Sequence, residues 1–381
     1  MTMRITRLAL DNWRNFKRVD IPIRQRMFVV GPNASGKSNL LDALRFLRDV
    51  ASVGGGFQEA LASRGGVSSV RCLAARRNPD VRLCVSICTD SDPDQWTYEL
   101  RFGTIPKRRD PVIRAEHVTK RGEVILSRPD DADEGDPARL SQTALEQVNA
   151  NRDFREVFDF FASVQYLHVV PQLVREPDRS RGKVNDPFGG DLVEQIARTS
   201  PRTRDARLRK ILSALKIAMP QLAELRLESD ARGDWHLRGK YEHWRKPGAW
   251  QSEVDFSDGT LRLLGLLWSL LSGAGPLLLE EPELSLHAEV VRFLPSLFAR
   301  AQRSSGRQVL VSTHSVDLLS DPGIGLDEVM LLEPTGEGTT VSLASSIDDA
   351  VTLLQHGTTL PELITARTRP RGVEQLALFR P

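Results

Sequence analysis

Cysteine is scarce in this chain, long apolar runs are missing, and neither sign of charge dominates. Three cysteines, Cys72, Cys84 and Cys88, stand among 381 residues. Their number is odd and no Cys-x-x-Cys pair occurs, so neither a disulfide framework nor a thiolate metal site is expected. They read as reduced, mostly buried small side chains. No apolar run approaches the ~20 residues of a membrane span, and the residues after Met1 alternate like a strand, unlike a signal peptide. A cytoplasmic chain without a membrane partner is expected. The 52 Lys and Arg nearly balance the 50 Asp and Glu, leaving a net charge of +2. That balance neither demands nor excludes nucleic acid. Internal repeats and sustained heptads are absent too, which excludes a solenoid or a long coiled coil. What remains, 40% hydrophobic and 27% charged residues, is the composition of a globular chain with two or three core-forming units.

The most informative residues are GPNASGKS, Gly31 to Ser38. They follow the apolar run Met27 to Val30 and open a pattern that puts Leu40, Leu41, Leu44 and Leu47 on one helix face. Strand, glycine loop and helix in this order are the context of a phosphate-binding loop. Gly31, Asn33, Ser35 and Gly36 would form the loop, whose backbone N–H groups turn inward around a polyphosphate, and Asn39 follows in the first helical turn. The helix N-terminus adds partial positive charge. Lys37 is expected to reach the β- and γ-phosphates and Ser38 to hold Mg²⁺ through its hydroxyl. The implied ligand is a nucleoside triphosphate.

Upstream, Ile5 to Ile23 reads as two strands around the turn NWRNFK, Asn12 to Lys17. Downstream of the loop helix, Val81, Leu83, Val85 and Ile87 alternate with polar or small residues, as do Trp96, Tyr98, Leu100 and Phe102. Period two with one apolar face predicts antiparallel strands, continued by 112–118 and 123–127. The acidic stretch 129–137 reads as a solvated, mobile loop, and 171–190, rich in Pro, Gly, Arg and Asp, as another loop. Leu208, Ile211, Leu212 and Leu215 lie at helix spacing before Pro220. A second β segment is expected over 225–254. From Phe256 onward the pattern alternates: helix 261–271, strand 276–279, helix 287–303, strand 308–312, and a final helix over 347–366. Buried strands between helices imply a parallel sheet covered on both faces.

Further pieces carry chemistry only in combination. FSDGT, Phe256 to Thr260, puts Ser257 and Gly259 at a helix N-terminus, where a hydroxyl and backbone N–H groups can meet an anion. Taken alone, Ser257 reads first as an ordinary helix N-cap and only second as an anion contact. In PLLLEEPE, Pro276 to Glu283, an apolar strand ends in adjacent carboxylates. Glu280 would serve Mg²⁺, and Glu281 would orient or deprotonate an attacking water. VLVSTHS, Val309 to Ser315, delivers His314 to the end of a strand, where ligands gather in open α/β sheets.

The set resembles the ABC-type ATPases of the SMC, RecF and OLD group, especially compact bacterial ATPases related to the OLD proteins. NWRNFK and GPNASGKSNLLDAL are similar to that group's opening, FSDGTLRLL to its signature motif, LLLEEPELSLH to its Walker B and D-loop, and VLVSTHS to its switch histidine. The resemblance implies an α/β P-loop NTPase fold of the ABC type, with a central parallel sheet, an antiparallel β subdomain and a compact helical insertion. It divides the chain into an N-terminal lobe (1–135), an insertion (136–250), a C-terminal lobe with signature, Walker B and switch histidine (251–345), and a C-terminal helix and tail (346–381). YLHVVPQLVR occupies the place of the Q-loop, which makes Gln172 a candidate Mg²⁺ or water contact. Catalytic roles fall to Lys37, Glu281 and His314. ATP rather than GTP rests on the resemblance alone. Two departures stand out: Asp258 replaces a glycine of transporter signatures, and Glu280 replaces the usual metal-binding Asp. The Toprim nuclease of OLD proteins proper is expected to be absent.

In this group the signature serine faces the ATP of a second subunit. A homodimer closed by ATP is therefore implied, with slow hydrolysis until a partner completes the site. One expectation is an ATPase switch in anti-phage defence that controls a separately encoded effector such as a nuclease. Another is a RecF-like repair ATPase that clamps DNA, with 202–210 as candidate contacts. A transporter subunit does not suit the long interval between Lys37 and Ser257, and a non-hydrolysing scaffold does not suit the carboxylates and His314. Trp235, Trp244, Trp250 and Tyr241, near His236 and His243, read first as the packed face of a small sheet and second as a base-stacking platform. Trp13 or Arg14 stacks on a nucleotide base or, for Trp13, packs in the core. The segment 372–379 is either a docking segment or a frayed end.

Overall fold

The computed structural model describes residues 3–75, 79–89, 92–105, 110–180, 185–242 and 249–369, with Gln375 besides. His243, Trp244 and, Gln375 apart, the segment 372–379 lie outside these residues. The central sheet has the order β15-β14-β3-β13-β12-β8. Its members are β3 (Arg26–Val30), β8 (Gln165–Leu167), β12 (Leu277–Glu280), β13 (Val309–Thr313), β14 (Val329–Thr335) and β15 (Gly338–Leu343). Five strands run parallel and β15 pairs antiparallel with β14. The strands are short and apolar because both faces are covered. Met27, Val29, Leu278 and Leu310 enter one core, whereas Phe28, Val30, Leu277, Leu279, Val309 and Val311 enter the other. Period-two alternation along each strand thus serves two cores at once.

On the first face the phosphate-loop helix, Lys37–Val50, packs beneath an antiparallel sheet of order β2-β1-β4-β5-β6-β7. Its strands are β1 (Arg4–Trp13), β2 (Phe16–Pro22), β4 (Val81–Thr89), β5 (Asp92–Thr104), β6 (Pro111–Lys120) and β7 (Glu123–Arg128). On the second face lies the helix Asp258–Leu271, which buries Leu261, Leu264 and Trp268. Beside it sit the helix Pro201–Ala218 and a three-stranded sheet of β9 (Leu222–Ser229), β10 (Trp235–Tyr241) and β11 (Ala249–Ser252). The three cysteines are free and buried.

Several local expectations change. The acidic stretch 129–137 contains a helix, Asp131–Gly135, with Asp133 buried. Arg128 is itself buried and donates to Asp133 Oδ1 at 2.8 Å and to Glu116 Oε2 at 3.1 Å. A guanidinium withdrawn from water needs both carboxylates, so an acidic run that looks solvated is drawn inward. The stretch 171–190 begins with a helix, Pro171–Arg175, because proline is well placed at a first helical position. The helix expected over 287–303 is two, Ala288–Arg292 and Leu294–Ser305, since Pro295 has no N–H to continue the first. The last helix is also two, Ala350–Gln355 and Leu360–Thr368. Gly357, at φ 94°, lies in the left-handed region between them. The hairpin β14–β15 had no counterpart in the sequence reading.

Candidate functional site

Three central strands end on one edge of the sheet. β3 leads into Gly31, β12 ends at Glu280, and β13 leads into His314. Register places Glu280 opposite Ser312 and Val30 opposite Thr313. Parallel pairing therefore delivers a glycine loop, two carboxylates and an imidazole to the carboxyl end of the sheet, the usual place of a ligand in this architecture.

The loop is shaped by contacts within the chain itself. Gly36 has φ 96°, and a Cβ there would fall 2.2 Å from Asn15 Nδ2. Asn15, from the β1–β2 turn, donates to Ser35 O and to Thr339 Oγ1, both at 2.8 Å, and accepts from Asn39 Nδ2 at 2.9 Å. One amide thereby pins the loop, the following helix and β15. Ala34 is held at φ 63°, a conformation that costs an L-residue about 1–2 kcal/mol. Ser35 is fully buried, and its hydroxyl oxygen has no hydrogen-bond partner among the described residues. Asn33 and Ser38 are exposed. Strain, a glycine cradle and an orphaned hydroxyl in one loop are features of a site that a ligand completes.

Lys37 is buried, and its ammonium donates to Gly31 O at 3.1 Å and Pro32 O at 3.3 Å. Burial lowers its pKa, opposed by Glu281, Glu283 and Glu280. Glu281 Oε1 lies 4.0 Å from that ammonium and 3.1 Å from His314 Nδ1. Glu281 itself stands at φ 44°, the second strained residue at this edge. Ser38 Oγ donates to Glu280 Oε1. Burial raises the Glu280 pKa, with the Ser38 hydrogen bond acting against it. A carboxylate whose charge is disfavoured by burial gains most from an arriving cation. A carboxylate and a hydroxyl are the hard oxygen donors that Mg²⁺ prefers. Glu283 is buried, accepts from Thr313 Oγ1 at 2.5 Å, and has its pKa raised by burial.

Ser257 and Gly259 are placed differently. Ser257 is exposed and caps its own helix by accepting from Thr260 N at 3.2 Å. None of its hydrogen bonds runs to the phosphate loop or to Glu280 and Glu281. Gly259 packs against Ser285 and Leu286, and a Cβ there would come within 2.6 Å of Ser285 O. Gln172 is exposed on the helix Pro171–Arg175 and is not brought to Ser38 or Glu280 by any hydrogen bond. The same segment makes other links. His168 Nδ1 lies 3.1 Å from Glu280 O. Arg175 donates to Phe256 O at 2.6 Å and to Asp258 Oδ1 at 2.7 Å. Asp258 thus has a partner that a glycine would not have. Asn15 and Arg175 were missed as site residues in the sequence, although NWRNFK and LVR carry them. Trp13 is core: it is fully buried and donates from Nε1 to Asn39 O at 2.7 Å. Among the remaining tryptophans, Trp235 and Trp250 lie under Arg204 and Arg226 at 5.9 and 4.0 Å.

A family model described as "AAA domain, putative AbiEii toxin, Type IV TA system" matches residues 26–321. The chain belongs to this AAA family. The match begins at β3 and ends just beyond His314, so it takes in GPNASGKS, FSDGT, PLLLEEPE and VLVSTHS and leaves out the turn that carries Asn15. No curated protein matches the chain in sequence. Among solved structures the family member resembles SMC heads. One is an SmcHead bound to the C-winged helix domain of ScpA, with TM-score 0.56 and 15% identity over 89% of this chain and 97% of that one. A second, from Pyrococcus furiosus, is a head with an extended coiled coil bound to the C-terminal domain of ScpA, with TM-score 0.54 and 15% identity over 93% and 99%. A third, the head with coiled coil and joint from Pyrococcus yayanosii, has TM-score 0.54 and 12% identity over 93% and 99%. The AAA family member therefore has the P-loop NTPase fold of an SMC-like ABC ATPase. Among its described residues no helix is long and apolar enough to cross a membrane.

Proposed function

We propose that the protein is an ATP-binding and ATP-hydrolysing switch, closed by ATP into a homodimer, that controls a separately encoded effector such as a nuclease in bacterial anti-phage defence. The observation that carries this reading is the division of the site. Lys37, Ser38, Glu280, Glu281 and His314 interlock at one sheet edge, while exposed Ser257 bonds to none of them. An exposed helix N-terminus whose serine bonds only within its own first turn suits a phosphate presented from outside, by a second copy.

In this mechanism Lys37 exchanges its carbonyl partners for phosphate oxygens. Ser38 and Glu280 would hold Mg²⁺, which when bound would supply charge neutralisation on the phosphates. Glu281, steadied by His314, orients the attacking water and accepts its proton. Gly31, Asn33, Ser35, Gly36 and Asn39 shape the loop. Ser257 and Gly259 of the partner copy would add donors to the γ-phosphate, so ATP favours the closed form and loss of that phosphate weakens it. Gln172 would enter only if its segment moves on closure.

The SMC heads solved with ScpA domains support a protein partner, and the family description, which names a toxin of a toxin–antitoxin system, supports a defence setting. One observation favours the DNA-clamp alternative: the helix Pro201–Ala218 exposes Arg202, Arg209, Lys210 and Lys216 and contains one carboxylate, Asp205. Binding of DNA that requires ATP and weakens steeply with salt would select that alternative. The deciding experiment is light scattering of the purified chain with and without Mg²⁺ and ATP, using Glu281→Gln to prevent turnover. Dimers that form only with ATP are expected. A variant that binds ATP and stays monomeric removes the composite site.

A further inference from the structure

Next to Ser38 lies a cleft of about 390 Å³ that the motifs do not account for. Its walls include Arg14, Ser38, Asp42, Arg45, Arg64 and Tyr166. Ser38, Asp42 and Arg45 are spaced i, i+4 and i+7 on the phosphate-loop helix and so share one face. The carboxylates here are already occupied. Asp42 accepts from Arg64 at 2.8 Å and from Arg14 at 3.1 Å. Asp49, one turn beyond Arg45, accepts from Arg64 at 2.8 Å and from Arg48 at 2.6 Å.

Arg45 has no share in these pairs. Among the described residues it has no hydrogen-bond partner, and its Nε is buried and unsatisfied. Its guanidinium lies over the Tyr166 ring at 5.1 Å. Burial lowers its pKa, and its positive field reaches Glu280. Four guanidinium groups therefore face two carboxylates, and the group without an anion is the one on the Ser38 face. A half-buried cation with unmade hydrogen bonds is stabilised by a nearby anion.

We propose that this cleft is a second anion subsite, which takes an inorganic phosphate dianion beside the catalytic centre. The lining sets three guanidinium groups, Arg14, Arg45 and Arg64, against one carboxylate, Asp42, and Arg45 can offer phosphate a two-pronged donor face. The inference rests on the proposed ATPase reading for the source of that ion: phosphate released at the Ser38 end has this cleft as its first stop. Phosphate from bulk solution would bind by the same chemistry.

The test titrates inorganic phosphate into the nucleotide-free full chain, followed by ³¹P NMR. Lys37→Ala removes the phosphate-loop site, so binding that persists in Lys37→Ala belongs elsewhere. In that background Arg45→Met is expected to weaken phosphate on the order of 10- to 100-fold, the effect of losing charge-assisted hydrogen bonds. Arg45→Lys should fall between, because it keeps the charge and loses the fork. In otherwise unaltered protein, phosphate should inhibit ATP turnover without competing with ATP, and Arg45→Met should abolish that inhibition while ATP affinity stays within about twofold, as expected of a group outside the loop. A product source predicts slower phosphate release in single turnovers of Arg45→Lys, whereas a bulk source predicts binding with normal release. Phosphate binding that vanishes in Lys37→Ala, or that is unchanged in both Arg45 variants, overturns the subsite. Absence of any ATP turnover in the unaltered protein overturns the ATPase reading instead and leaves the titration intact.

Discussion

The two parts of the candidate site are built on opposite principles. At the phosphate-loop edge the side chains satisfy one another: Lys37 bonds the loop carbonyls, Ser38 bonds Glu280, and His314 bonds Glu281. At FSDGT Ser257 bonds only within its own helix, while the element is steered from outside by Arg175 through Phe256 O and Asp258 and by Met219, which accepts from Thr260 Oγ1. The first part is self-contained, so its assembly needs one chain. The second exposes its hydroxyl, and its aim depends on a neighbouring segment that also touches Glu280 through His168. A segment bonded to both parts is a physical route by which occupancy at one could alter the orientation of the other.

The difference can be broken by substitutions on either side. The largest effect is expected from Lys37→Ala, which should weaken ATP by on the order of 100-fold or more in calorimetry, because a buried charge-assisted contact is lost. Near-normal affinity would detach the loop from nucleotide binding. Glu281→Gln should retain ATP and slow turnover by about 10²- to 10⁴-fold, the range for a lost general base; unaltered turnover would move that role to another residue. Gly259→Ala drives a Cβ to 2.6 Å from Ser285 O. It should spare ATP binding by the monomer and prevent ATP-dependent dimers in light scattering, as should Ser257→Arg. If dimers persist in both, the two parts do not meet across copies.

A smaller effect belongs to the Arg175–Asp258 pair, whose side chains are 22% and 43% exposed. Solvent screening limits its coupling to about 0.5–1 kcal/mol. A double-mutant cycle with Arg175→Met and Asp258→Asn, read on dimerisation, should therefore show a two- to fivefold coupling. Additive effects would leave Arg175 as a structural contact alone. The smallest change in turnover is expected from Asp133→Asn, in the antiparallel subdomain. Arg128 holds the Asp133 carboxyl down at about 2. Its contribution to stability is then complete above the ordinary carboxylate value of about 3.9 and is lost as pH falls through about 2. Thermal melts should show the variant clearly destabilised at pH 7 and the gap closing towards pH 2, with ATP affinity unchanged.

The sequence by itself determined the local chemistry. GPNASGKS between an apolar run and an amphipathic pattern specified strand, loop and helix. LLLEE and VLVSTH specified buried strands with polar ends, and alternation in 81–102 specified the antiparallel strands. These follow from interactions within a few residues, where period and turn chemistry dominate. The tertiary structure decided what depends on distant partners. Asn15 reaches Thr339, Arg175 reaches Asp258, Arg128 draws Asp133 inward, and β14–β15 closes the sheet beside β3. Each joins residues whose types are common and whose pairing no local pattern announces. Arg45 shows the same limit: its residue type is ordinary on a helix, and only the packing around it reveals that the nearby carboxylates are already shared out.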